Sequence, residues 1–93
     1  MTISGEELDP TAILAALNVT DARSIAPVAG GQDTAIWRVE TGAGPLALRV
    51  FREDQQRPAR RERETLRCAR EAGLPVPQVC AEGEWQGRPV TLI

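Results

Sequence analysis

Two charged residues in this chain stand where charge is hard to bury, and their spacing lets each answer the other. Leu46-Ala47-Leu48-Arg49-Val50-Phe51 alternates as a strand does, which puts Ala47 and Arg49 on one face and Leu46, Leu48 and Val50 on the other. Downstream, Ala59, Glu62, Leu66 and Ala69 recur at steps of three and four and share one side of a helix. A cation thus projects from a sheet face, and an acid interrupts the apolar stripe of the helix expected to pack there. Either charge alone is costly to desolvate; together they form an ion pair. A guanidinium fixed in this way can be aimed at phosphate oxygens. The same two residues would also serve as a purely structural ion pair, and both readings are open at this level. Glu64 is a rival acid, but it points about 200° around the helix from that stripe and is better placed to pair with Arg60 or Arg67.

Composition narrows the chemistry further. There is no histidine among the 93 residues, which excludes His-based catalysis and His-ligated zinc within them. There is no lysine either, so all eleven cations are arginines, and any phosphate contact usually made by lysine falls to arginine. The net charge of −2 gives no general attraction to nucleic acid or to an anionic membrane. No apolar run reaches membrane-spanning length and the N-terminus lacks a basic-then-apolar leader, so a cytoplasmic protein is expected. Cys68 and Cys80 have neither zinc-ribbon nor CxxC spacing and read as ordinary buried or half-buried thiols. Arg57, Arg60, Arg61, Arg63, Arg67 and Arg70 crowd one helix and its approach, but Glu62, Glu64 and Glu71 are interleaved and no aromatic sits among them. That pattern fits a solvated helix surface better than a nucleic-acid interface. Trp37 and Trp85 read as core or rim packing.

The elements that must position these residues follow from local signals. Asp9-Pro10 starts a short helix with apolar Ile13, Leu14 and Leu17, ending near Asn18 and packing on the edge of the downstream domain. Residues 24–29 form a first strand, Gly30-Gly31-Gln32-Asp33 a turn, and 34–41 a second strand. Gly42-Ala43-Gly44-Pro45 turns into a third strand over 46–51. A polar connector leads to a helix from Pro58 to about Ala72, stopped by Gly73. Pro75 and Pro77 force an extended crossing; strands over 78–85 and 88–93 then flank a Gln86-Gly87 hairpin turn. The sum is an α+β domain: a five-stranded antiparallel sheet with one helix between strands three and four and a short N-terminal helix. Residues 1–23 read as an N-terminal extension and 24–93 as the domain proper.

This order resembles the N-terminal lobe of protein kinases, and the wording is closest to aminoglycoside phosphotransferases and related small-molecule kinases. Gly30-Gly31-Gln32-Asp33-Thr34-Ala35-Ile36-Trp37-Arg38-Val39 resembles that family's "GG-x-x-N-x-x-Y-R-V" hairpin, and Leu48-Arg49-Val50 its "L-R-V" strand. Arg61-Glu62-Arg63-Glu64-Thr65-Leu66 followed by Gly73-Leu74-Pro75-Val76-Pro77 is similar to its "R-E-x-x-x-L … G-x-P-V-P" run. The resemblance implies ATP as the nucleotide. Arg49 would bridge its α- and β-phosphates and Glu62 would hold Arg49. Ala47 and Ile36 would roof the adenine, and residues 30–34 (Gly30, Gly31, Gln32, Asp33 and Thr34) would cover the phosphates with backbone N–H groups. Thr34 stands where the family often has Asn, and Asp33 brings an acid toward phosphate.

The family's catalytic loop, which resembles His-Gly-Asp, and its later Mg²⁺-binding Asp have no counterpart here. The expectation is therefore an ATP-binding lobe that ends at the hinge, without its C-terminal catalytic lobe. It would be inactive alone, with Mg²⁺ and the small-molecule acceptor bound only through the missing lobe. The alternative is a non-catalytic interaction module that self-associates through an exposed inter-lobe surface around Phe51, Leu92 and Ile93. Neither a nucleic-acid nor a membrane partner is expected.

Overall fold

The computed structural model describes residues 8–28 and 34–93, so the turn Gly30-Gly31-Gln32-Asp33 lies outside the described residues. Helix α1 spans Pro10–Ala16 and is followed by strands β1 (Ala22–Pro27), β2 (Thr34–Thr41) and β3 (Gly44–Phe51). Helix α2 (Gln56–Glu71) then precedes the hairpin of β4 (Ala81–Trp85) and β5 (Arg88–Leu92). All strand pairs are antiparallel and the sheet order is β1-β2-β3-β5-β4. The α+β class and the five-strand sheet expected from the sequence are what the chain forms.

Local chemistry explains where the elements start and stop. Asp9 caps α1, its Oδ1 accepting from the Ala12 N–H at 3.2 Å, with Pro10 as the first helical residue. Gly73 adopts a φ of 83° and ends α2. Its N–H donates to Arg70 O, and the Leu74 N–H reaches back to Ala69 O, each at 3.0 Å. Together these satisfy carbonyls the helix leaves free. At the β4–β5 hairpin, Gln86 and Gly87 both have positive φ, the turn geometry whose twist matches the flanking strands.

Several boundaries differ from the sequence expectation. β1 begins at Ala22 rather than Ser24, with a register shift between Ala22 and Ser24. Pro27 sits at the end of this edge strand, where a missing N–H is tolerated. β3 begins at Gly44 because Thr41 closes a tighter turn, donating from Oγ1 to Gly44 O and accepting from Ala43 N–H. α2 starts at Gln56, two residues before Pro58. β4 starts only at Ala81, since Pro75 and Pro77 keep the crossing segment out of the ladder.

The sheet has two unlike faces. Trp37, Val39, Leu48, Val50, Val90 and Leu92 join Ile13 and Leu14 of α1 and the preceding Leu8 in one buried cluster. α1 is therefore seated in the main core and not at its edge; Ile13 is fully buried. α2 covers the other face, lying against β5 with Ala59 fully buried at the contact. Phe51 and Leu92, expected on an exposed surface, are buried, because Phe51 lies under the Arg49 side chain and Leu92 in the α1 cluster. Cys68 and Cys80, expected to be buried or half-buried, are free thiols that are both exposed.

Candidate functional site

The side of the sheet facing α2 carries the charged residues singled out above. Register places Ile36 of β2, Arg49 of β3 and Thr91 of β5 side by side in one row. Arg49 Nη1 donates to Glu62 Oε1, so the strand cation and the helix acid meet across the interface. Each side chain of the pair keeps about a quarter of its surface in solvent (26% and 25%). The guanidinium carbon also stands 5.2 Å from the centroid of the Phe51 ring, a cation–π contact that fixes its height above the sheet. Among the described residues Glu62 is the one acceptor Arg49 has, and Arg49 Nε is buried without a partner. A guanidinium carries five N–H donors, so this one is oriented yet mostly unspent. Helix geometry selects Glu62: from the buried Ala59 it lies about 60° around the axis, close to the sheet, whereas Glu64 is exposed.

An apolar cleft lies around Ala47, earlier on β3. Ala47 lies two residues before Arg49 on the same face, about 7 Å along the strand. It exchanges both backbone hydrogen bonds with Ile93, at 2.7 and 2.9 Å. Around these two residues Val28, Leu46, Pro77 and Cys80 wall an open cleft of about 530 Å³. Arg38 stands at the rim, held by Glu40 through Nε at 2.6 Å. Volume and walls suit a flat heteroaromatic ring. Arg49 does not itself line the cleft, and its guanidinium lies over Phe51; Ala47, on the same face of β3, is the link between the two.

The residues anticipated for this site are therefore partly gathered. Arg49 and Glu62 come together, and Ala47 shares the Arg49 face of β3 two residues earlier. Ile36 stands opposite Arg49 in the register, nearer the cation than the cleft wall. Thr34 opens β2 opposite Phe51, while Gly30, Gly31, Gln32 and Asp33 lie outside the described residues. Sequence reasoning missed Val28, Pro77 and Ile93 as cleft walls. Ile93 was within reach, because alternation from Thr91 puts it on the Arg49 side; Pro77 was visible only as a breaker.

A second ionic cluster was also missed. Glu82 of β4 accepts from Arg63 Nε at 2.7 Å and from Arg67 Nη2 at 3.0 Å. Arg63, read from the sequence as part of a solvated surface, is only 19% exposed in its side chain. Among the described residues no group of three or more His, Cys, Asp or Glu could hold a metal ion. No helix there is long and apolar enough to cross a membrane.

Comparison with known proteins gives one positive result. No curated protein and no solved structure matches the chain. Residues 24–93, however, match the family model of the phosphotransferase enzyme family (APH). That span contains the whole sheet after its first two residues, the Arg49–Glu62 pair and the cleft around Ala47. With the match covering most of its length, the chain belongs to the phosphotransferase enzyme family.

Proposed function

We propose that residues 24–93 are the ATP-binding lobe of a small-molecule kinase similar to aminoglycoside phosphotransferases. The observation that carries this reading is the Arg49–Glu62 pair on the same sheet face as Ala47, which lines the cleft with Ile93. An oriented guanidinium with unspent donors shares a sheet face with Ala47, which lines an apolar cleft with room for a purine. In this reading Glu62 holds Arg49, and Arg49 donates to the α- and β-phosphate oxygens. Ala47 roofs the adenine with Val28 and Ile93 beside it, and Ile36 packs along the same face. The backbone N–H groups of Gly30, Gly31, Gln32, Asp33 and Thr34 cover the phosphates. The nucleotide would supply the transferable phosphoryl group; these residues bind and orient it and exclude water.

Transfer itself needs a base and Mg²⁺-binding carboxylates. With no histidine in these residues, the family's His-Gly-Asp-like loop has no counterpart here. We therefore assign no catalytic residue and place acceptor binding, Mg²⁺ and chemistry in a second lobe. The test is titration of the 93-residue chain with ATP, followed by backbone NMR. Shifts centred on Ala47, Arg49 and residues 30–34 are expected, and they should vanish in Arg49→Ala while the remaining spectrum stays folded. An interaction module that kept only the architecture predicts the opposite: size that grows with concentration and no nucleotide response. Phosphate transfer from Mg·ATP by these residues alone would overturn the assignment of chemistry to a second lobe.

A further inference from the structure

Charges between α2 and the sheet form two clusters of opposite sense. Arg49, Thr91 and Glu82 are register neighbours on β3, β5 and β4, so cation, hydroxyl and carboxylate form one row across three adjacent strands. The helix presents the reverse order above them. Taking buried Ala59 as the contact line, Glu62 lies about 60° to one side, and Arg63 and Arg67 about 40° and 80° to the other. Glu62 reaches β3 and the two arginines reach β4, while Ala59 allows close approach over β5. A single ion pair leaves a helix free to roll about its own axis; attachments on both flanks remove that freedom. Lifting Arg63 and Arg67 off Glu82 would turn Glu62 under the helix and out of its present reach to Arg49. The opposite roll is resisted by Glu62 itself, so each flank blocks one direction of roll. At the helix start, Gln56 Nε2 donates to Gly87 O at 3.2 Å and adds a third tether, to the β4–β5 turn.

We propose that Glu82 is a positioning residue for the Arg49–Glu62 pair, setting the roll of α2 through Arg63 and Arg67. The proposal rests on the reading of that pair as a phosphate-binding device, and its test separates the two. Cys68 on α2 and Cys80 just before β4 are exposed and are the chain's two cysteines, so spin labels at both report the distance from the helix to the entry of β4 without added mutations. Glu82→Ala and the milder Glu82→Gln should broaden that distance distribution. The charge swap Glu82→Arg with Arg63→Glu should narrow it again. In unlabelled protein, Glu82→Ala should weaken ATP binding about three- to tenfold, and the swap should recover it.

An unchanged distribution in both single variants overturns the proposal. So does a broadened one with unaltered ATP affinity, or a swap that stays broad with native circular dichroism. If Glu82→Ala does not fold, Glu82→Gln and the swap decide. If the unmutated chain shows no ATP response, the functional reading fails, while the label distances still decide whether Glu82 sets the roll. If Arg49→Ala loses ATP binding and Glu82→Ala does not, the functional reading stands and this inference falls.

Discussion

Arg49 is the residue on which site and stability meet. Its pair with Glu62 is neither a surface ion pair, worth under about 1 kcal/mol, nor a fully buried one, where loss of a partner costs about 3–5 kcal/mol. With about a quarter of each side chain in solvent, Arg49→Ala should lower unfolding stability by roughly 1–2 kcal/mol, measured by urea titration, and leave the chain folded. The same variant should abolish the ATP-induced NMR shifts. Arg49→Lys should restore part of the stability but less of the binding, because an ammonium loses the planar fork and much of the Phe51 contact. The pair was legible in the sequence because both partners obey short-range periods, two on the strand and 3.6 on the helix. Glu82 was not. Nothing local marks it, and its meeting with Arg63, 19 residues away, depends on how β4 registers against β5.

Elements were read well where a residue's own backbone demand fixes the boundary and less well where packing fixes it. Gly73 illustrates the first case. Its φ of 83° is strained for any L side chain, although a Cβ there would meet nothing within 4 Å. Gly73→Ala should therefore cost about 1 kcal/mol through backbone conformation alone, seen as a lower melting temperature without change in the ATP-induced shifts. β4 illustrates the second. Residues 78–80 look as strand-like as their neighbours, yet the Pro-Val-Pro crossing turns them into cleft wall, with Gln78 and Cys80 lining it. The exposure of both cysteines has the same origin: residue type favours burial, but their positions on α2 and before β4 face outward.

For the whole molecule, α1 is the main surprise. Its apolar spacing was visible, but which surface it would cover depends on contacts far along the chain. Ile13 and Leu14 insert among Val39, Leu48, Val90 and Leu92, so residues before the family match complete the main core. Leu14→Ala should cost about 2–4 kcal/mol by chemical denaturation, a large share for a domain of this size. A fragment of residues 24–93 alone should aggregate or lose its cooperative transition by circular dichroism, since the cluster would face water. A single layer of strands separates that oily seat from the Arg49 guanidinium. Beyond the share held by the Arg49–Glu62 pair, thermal tolerance is thus written on the far side of the sheet, where it can drift or be engineered with little penalty to that pair.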